Sequence, residues 1–422
     1  TYNLFIKSMY KESIMKKFLF LSLFPLFAFS GNLNELLNLA EQNKQVEASR
    51  YSLEASKEKE YATKSGYLPN LTLGASQTFN QEKNMFAPEK NTTGTATLSF
   101  TIYDGGKREA SFEQQEALVK SATFSLASVQ NNISLDVIYY YYNYLSTLAN
   151  KESTLKKMEQ LEAERNRLEK FLSVGAITAD ELQKIISSIE QTKVDLLTLD
   201  NTLNNISNTL EYLTGQEVIV EKGSTIVYQE KINNEENKRL DILALEESVQ
   251  SNKSEIQMAK APNKPNIRIQ DTYSHYDFDY PVATESLEEQ NSIQLLMEWK
   301  IFDFGSTSAN AQAAYLNYLS KNSELSYAKY KAKASFKNAQ NSYKTSLAKI
   351  EAAKAKLQAS EMTYELIKKK FQQGIVNNVS YLDALSDKFN SNSQLQTALN
   401  EVEYQKAVLL YEMGENIKGA IQ

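Results

Sequence analysis

The chain repeats itself, and the repeat limits what it can become. LSFTIYDGGKREA, from Leu98 to Ala110, returns as MEWKIFDFGSTSA, from Met297 to Ala309, 199 positions later. EYLTG, ending at Gly215, returns as LYEMG, ending at Gly414, at the same interval. PNLTL from Pro69 returns as PNIRI from Pro265. Each copy has the same order of parts: short helix, strand, strand, very long helix, glycine break, long helix. The 422 residues suffice for two or three ordinary domains. Two similar halves, however, form one architectural unit. The expected division is 31–215 for the first repeat, 216–238 for a connector, 239–414 for the second repeat and 415–422 for a tail, with 1–30 ahead of the fold.

Proline placement marks the helices. Beyond Pro25, the prolines are Pro69, Pro88, Pro262, Pro265 and Pro281. Proline costs roughly 3 kcal/mol in a helix interior, so the proline-free stretches are open to long helices. Gly106 to Val174 and Ser306 to Gln373 read as two rods, each about 100 Å long at about 1.5 Å per residue. After the first glycine break, Leu182, Ile185, Ile189, Thr192, Leu196, Leu199, Leu203, Ile206, Leu210 and Leu213 alternate three and four apart. That spacing is a heptad seam and predicts left-handed coiled-coil packing. Met158, Leu161, Leu168 and Leu172 match it on the incoming helix, where Arg165 interrupts the register. The second half carries a looser version at Leu382, Leu385, Phe389, Leu395, Leu399, Val402, Leu409 and Met413. Short helices are expected over Glu35 to Ser65 and Arg239 to Ala261.

Strands show as alternation. Ala96, Leu98, Phe100 and Ile102 alternate with Thr95, Thr97, Ser99 and Thr101; Ile293, Leu295, Met297, Trp299 and Ile301 alternate with mostly polar residues. Such a period of two predicts one apolar and one polar face. The partner strands are Leu71 to Phe79 and Ile267 to Tyr276. Polar loops at Asn80 to Thr93 and Asp277 to Gln290 complete one hairpin per half, four strands in all.

Composition excludes some chemistry. With no cysteine and a single histidine, His275, thiolate catalysis, disulfides and the usual zinc sites have no ligands. No nucleophile–base set is visible, so no enzyme and no cofactor is expected. The net charge of −6, without a basic cluster in the body of the chain, gives no footing for nucleic acid. Lys16 and Lys17 precede the apolar run Phe18 to Phe29, which ends at Ala28-Phe29-Ser30. This pattern predicts a secretory signal, with Met15 as the start and Thr1 to Ile14 as upstream sequence. Twelve residues are too few to cross about 30 Å of hydrocarbon as a helix.

An exported chain with four half-apolar strands faces a physical problem. Hydrocarbon does not tolerate the unpaired N–H and C=O groups of an open sheet edge, and membrane barrels need about eight strands or more. The strands therefore belong to a barrel shared between copies: two copies give eight strands, three give twelve and room for an aqueous lumen. The rods then stand off the membrane in the periplasm.

IYDGGKR after the second strand, IFDFGS at the matching place, LPNLTL, and the break motifs VGAIT and QGIVN together resemble the TolC-type outer-membrane efflux proteins, over Leu33 to Gly414. The resemblance implies a mainly α protein with a membrane β-barrel: a homotrimer with a shared twelve-stranded barrel and an α-helical periplasmic tunnel. It implies an exit duct of a tripartite efflux system, passively exporting drugs or other small molecules. Its partners are then a periplasmic adaptor, an inner-membrane transporter and outer-membrane lipid. Two other readings stay open: a type I secretion exporter of polypeptides, and an exported coiled-coil scaffold without a pore. Lys44 departs from a proline common in the family's first short helix.

The resemblance also assigns positions. The adaptor docks at the glycine breaks, Gly175-Ala176-Ile177-Thr178 and Gly374-Ile375-Val376-Asn377, as an exposed apolar knob; a plain hairpin turn packing on its own neighbours is the alternative. Carboxylates ring the constricted entrance just beyond. Asp383 matches one such position, Ser380 stands where another aspartate is usual, and Val376 replaces a basic gating residue. Asp180 and Glu181 are the nearest first-half equivalents. Asp104-Gly105-Gly106 and Asp303-Phe304-Gly305 read as strand-to-helix junctions with the aspartate capping the helix. The tyrosines Tyr139 to Tyr142 and Tyr144 are expected to pack between helices, since consecutive residues point all round a helix. His275, beside Tyr273 and Tyr276, fits an aromatic girdle.

Overall fold

The computed structural model describes residues 29–82, 88–228, 239–278 and 288–422. The expected signal segment up to position 28, part of both strand loops and the second part of the connector lie outside these residues.

Two 67-residue helices dominate, α3 (Lys107–Ser173) and α6 (Ser306–Gln372), each about 100 Å long. Their ends fall within a residue of the proline-free stretches read above. Each turns at a glycine into a partner of half that length, α4 (Ala179–Thr214) and α7 (Asn378–Glu412). The short helices are α1 (Leu33–Ala40), α2 (Lys44–Ser65) and α5 (Leu240–Lys260). The single helix expected over Glu35 to Ser65 is broken, because the Asn43 side chain accepts from the Gln45 N–H at 2.8 Å and starts a new helix there. Lys44 is thus the first helical residue, a position at which proline is also favoured.

The main strands are β2 (Asn70–Phe79), β3 (Lys90–Tyr103), β5 (Asn266–Phe278) and β6 (Glu289–Glu298). They form one antiparallel sheet in the order β2-β3-β5-β6, so the two hairpins are joined edge to edge through β3 and β5. Leu71, Leu73, Phe79, Leu98, Ile293, Leu295 and Met297 stand exposed on one face. The opposite face carries Thr95, Thr97, Ser99, Gln270 and Thr272. No helix among the described residues is long and apolar enough to cross a membrane.

Two strands go beyond the expected four. β1 (Phe29–Gly31) pairs in parallel with β4 (Val218–Val220), and β1 overlaps the expected end of the signal. The run Val218-Ile219-Val220 supplies a β-branched strand that buries its two valines. The tail also packs: Thr225 and Gln422 exchange backbone hydrogen bonds at 3.0 Å, and Ile417 is fully buried.

α3 is the spine, packing against α2, α4, α5 and α7. One core lies midway along it, where Val137, Ile138, Tyr141 and Tyr142 meet Leu33, Leu36, Leu210, Leu213, Leu410 and Ile417. Within the tyrosine run, Tyr141 and Tyr142 are buried and hold the connector by donating to Glu221 O (2.7 Å) and Ser224 O (3.1 Å). A second core lies near the glycine turns and includes Leu161, Leu168, Ile185, Ile189, Phe371, Tyr381 and Leu385.

The first heptad seam holds at Ile185, Ile189, Thr192, Leu203, Ile206, Leu210 and Leu213, all buried. Two details differ on α3: Glu164 rather than Arg165 takes the inward position, and Ser153 is buried where Leu155 points out. The second seam differs more, for Leu399 is exposed while Ser391 and Ala398 are buried. Small residues let helix backbones approach closely, and hydrophobicity alone does not mark them. Asn392 and Asn400 donate across to Ser153 Oγ (2.8 Å) and Ser146 Oγ (3.1 Å), tying α7 to α3.

Leu210 is fully buried in the midway core. Leu210→Ala is expected to cost about 2–5 kcal/mol, measured as a lowered thermal midpoint in detergent, whereas Thr202→Ala on the exposed side of α4 leaves that midpoint unchanged.

Candidate functional site

The two glycine turns have the same construction. Gly175 (φ 71) and Gly374 (φ 73) adopt the left-handed conformation that glycine enters without penalty. Gly175 N–H donates to Leu172 O at 3.0 Å and Ala176 N–H to Phe171 O at 2.9 Å; Gly374 and Ile375 repeat the pattern to Phe371 O and Lys370 O. These bonds satisfy the last carbonyls of each long helix. Both turns lie at one end of the rods.

The expected apolar knob divides in two. Ile375 is 65% exposed and Val174 75%, and Ala176 is also exposed. Ile177 and Val376 instead pack back on the nearby core, because each opens the incoming turn of the next helix. Thr178 and Asn377 occupy the helix-start positions. Asn377 Oδ1 accepts from the Ser380 N–H (3.0 Å) and from Ser380 Oγ (3.1 Å), so Ser380 is engaged in capping. Thr178 donates its hydroxyl to the Asp180 carboxylate, which also faces Lys184 Nζ at 3.5 Å. The threonine hydroxyl first, then Lys184, hold the Asp180 carboxyl below its usual range. Asp383 is exposed and makes no side-chain hydrogen bond or ion pair among the described residues. The turns touch through Asn378, which is buried and donates to Glu181 O at 3.1 Å. The structure thus brings Asp180, Glu181 and Ser380 into one tip, with Asp383 one helical turn further along α7.

Above the tip is a layer that the sequence reading missed. Arg167 pairs with Glu164 at 2.8 Å and lies 4.8 Å above the Phe371 ring. Phe371 stacks on Tyr381 with centroids 4.7 Å apart, and Lys388 Nζ sits 4.5 Å above the Tyr364 ring. Cation–π and stacking contacts thereby join α3 to α6 and α7. Burial pushes the Glu164 carboxyl up, and Arg167 offsets this only in part. Burial likewise raises the Tyr381 phenol. Glu164 three residues before Arg167 was the available signal, masked because a charged pair on a heptad seam reads as an interruption.

The strand-to-helix junctions are not equivalent. Asp303 caps as expected: its carboxylate accepts from the Thr307 hydroxyl and from the N–H groups of Thr307 (2.8 Å) and Gly305 (3.1 Å), which hold it below the usual carboxylate range. Asp104 does not cap: Lys107 begins the helix without a side-chain cap, and Asp104 Oδ2 is buried without a hydrogen-bond partner. Gly105 lies so near the α5–β5 connection that a Cβ there would come within 2.7 Å of Ala261 O. Gly106 (φ 84) and Gly305 (φ 85) make the same left-handed start to each long helix. His275 is exposed on the apolar side of β5, with Tyr273 on the same face.

A family model described as "Outer membrane efflux protein" matches the chain twice, over residues 36–216 and 232–413. "Outer membrane protein TolC" of Escherichia coli (strain K12) is 21% identical over 401 residues, covering 90% of this chain and 81% of that protein. Among solved structures, CusC superposes with a TM-score of 0.82 at 17% identity, covering 94% of this chain and 96% of that one. The outer membrane protein VceC of Vibrio cholerae gives 0.82 at 16%, covering 91% and 96%. These likenesses show the fold: long paired helices joined to a small sheet.

Since Glu164 carries a raised pKa in the folded state, the native chain keeps its proton to higher pH than the unfolded chain does. Stability is then lost as pH rises from the ordinary value of 4.5 through the raised one. Glu164→Gln is expected to remove that part of the pH dependence, read as a smaller fall in thermal midpoint across the window than the parent shows.

Proposed function

The chain belongs to the outer membrane efflux protein family, and from that premise we propose that three copies share one twelve-stranded barrel above a helical tunnel. It is an outer-membrane protein and an exit duct of efflux systems. The observation that carries the proposal is the four-stranded sheet, with one exposed apolar face, one polar face and two unpaired edges. Such a sheet is not stable in hydrocarbon alone, and joined to its copies it gives a lipid-facing band outside and a polar lumen inside. The rods then extend the lumen through the periplasm. The duct is passive, with energy supplied by an inner-membrane transporter working through a periplasmic adaptor. The scaffold reading leaves this sheet without a use.

At the tip, the turns Gly175–Thr178 and Gly374–Asn377 present Val174, Ala176 and Ile375 to the adaptor. Ile177 and Val376 brace them from within. Asp383, free of partners, is the residue for a carboxylate ring at the entrance; Asp180, Glu181 and Ser380 shape its rim. Three carboxylates around one axis attract cations.

The mass of the mature chain in detergent, after export to the outer membrane, tests the assembly. Three protomer masses are expected, and a monomer or a soluble dimeric rod rejects the shared barrel. Asp383→Ala is expected to lower cation preference and divalent-cation block in planar bilayers; recordings coincident with the parent reject the ring. Gly374→Pro cannot adopt a φ of +73, so it is expected to weaken adaptor cross-linking while the oligomer persists. Undiminished cross-linking places docking elsewhere.

A further inference from the structure

Strand pairing inside the chain follows the sequence repeat residue by residue. The repeat intervals are 196 from Pro69 to Pro265 and 199 from Leu98 to Met297. Moving β2 by the first interval and β3 by the second turns Leu71 opposite Leu98 into Ile267 opposite Met297. It turns Leu73 opposite Ala96 into Ile269 opposite Leu295. Both are observed pairs, so one hairpin is the image of the other. The chain also contains one junction between a first half and a second half, where β3 pairs β5 with Ala96 opposite Tyr273. The image of that junction is β6 against the β2 of another copy, and a single chain leaves it open.

We infer that the next copy of this chain docks its β2 on β6 in the antiparallel register set by the repeat. Leu295 then lies opposite its Gln77, Gln294 opposite its Thr78, and Met297 opposite its Ala75. At the foot of the seam, Phe304 packs on Ser65–Leu68 of that copy. The inference rests on the shared-barrel reading above and adds the surface and the register.

Four observations support it independently. This register places Ile293 opposite Phe79, and keeps Leu71 and Leu73 with Leu295 and Met297 on one face; a slip of one residue sends one set to the other face. β3 runs to Tyr103 because β5 flanks it, with Thr101 opposite Arg268 and Tyr103 opposite Ile267. β6 stops at Glu298, and the mates of those last β3 residues, Trp299 to Phe302, have no strand beside them.

The junction gives the third. Gly105 sits against Ala261 and Lys264, where a Cβ would come within 2.9 Å of Lys264 Cβ. Its mate is Phe304, 92% exposed at a positive φ of 52, and the mates of Ala261 and Lys264 are Ser65 and Leu68, the latter 64% exposed. The operation thus brings together two apolar side chains that the single chain leaves uncovered. Helices give the fourth. Ser121 Oγ donates to Ala244 O at 2.8 Å between α3 and α5; the mates are Ser320 and Ala48, the same residue types, both exposed. Leu316, 55% exposed on α6, is likewise the mate of Ala117, 3% exposed on α3.

The surfaces are different on the two edges, so copies join head to tail and close a ring. Opposed residues in an antiparallel pair have Cα atoms roughly 4.5–5.5 Å apart, within disulfide range, and the chain has no cysteine of its own. The test uses full-length double variants in outer membranes: Gln77→Cys/Leu295→Cys, Thr78→Cys/Gln294→Cys and Leu68→Cys/Phe304→Cys. Slipped controls pair Leu295→Cys with Thr78→Cys, Ala75→Cys or Phe79→Cys. Positions 77 and 295 lie on opposite edges of one sheet, so any bridge joins two copies. Oxidation is expected to give a reducible ladder ending at the closed ring for the first three variants, at least fivefold above the slipped pairs. Slipped pairs cross-linking as well, or no variant cross-linking while the detergent mass shows an oligomer, overturns the register. A parent chain that is monomeric in detergent overturns the barrel reading itself.

Discussion

Backbone polar groups at the edge of a sheet have no partner in hydrocarbon, and most of this structure is arranged around that cost. A four-stranded sheet with β2 and β6 unpaired carries two rows of N–H and C=O groups that lipid cannot hydrate. Helices satisfy their own backbones, which is why the rest of the chain can stand as rods with modest tertiary support. The rods are not independent of the sheet, however. Each long helix starts at a left-handed glycine shortly after a strand, Gly106 following β3 and Gly305 following β6.

Along the rod, the packing changes character with position. Midway, Leu33, Tyr141, Leu210 and Ile417 form an apolar core to which the tail and the connector both contribute. Toward the turns, the core narrows to paired helices and becomes mixed, with the Glu164–Arg167 pair lying against Phe371 and Tyr381. A buried ion pair stabilises little beyond an apolar replacement, since desolvation offsets the attraction. The guanidinium lies over the Phe171 and Phe371 rings and beside the Glu164 carboxylate, and so links α3 to α6.

Much of this architecture is legible in the sequence. The absence of proline and the run of helix formers give both long helices to within a residue of their ends, and alternation gives the four sheet strands, although β6 ends at Glu298 and leaves Trp299 and Ile301 outside it. The misses have physical causes. Asn43 breaks the first short helix because a side-chain cap competes locally with helix continuation. Ser391 and Ala398 are buried because close helix approach selects size, whereas the reading of the seam selected hydrophobicity. Ile177 and Val376 pack inward because the turn direction, invisible in a motif, decides which apolar residues of a tip remain outside. β1 and β4 escaped notice since three-residue strands carry too little pattern. At the tip, acidic residue type alone did not separate Asp180, held by Thr178 and Lys184, from Asp383, which has no such partners.

The two halves have diverged most where their surroundings differ, and the junctions show why. Within the chain, the α5–β5 connection presses on Gly105 so closely that no side chain fits, and Asp104, half-buried, has its Oδ2 buried without a hydrogen-bond partner. That contact forms as one polypeptide folds, so backbone can meet backbone at the cost of a bare position. In the second half Phe304 is largely uncovered among the described residues, meeting the Phe302 ring at 4.6 Å. Asp303 caps its helix fully, and Phe304 projects outward in a backbone conformation that disfavours side chains. A contact between separately folded copies has to be made by groups already displayed on each surface. An aromatic ring supplies more apolar area there than a glycine could. The two halves share one backbone plan, and the residues at the junctions, Gly105 in the first half and Phe304 in the second, differ with how much of the chain presses on them.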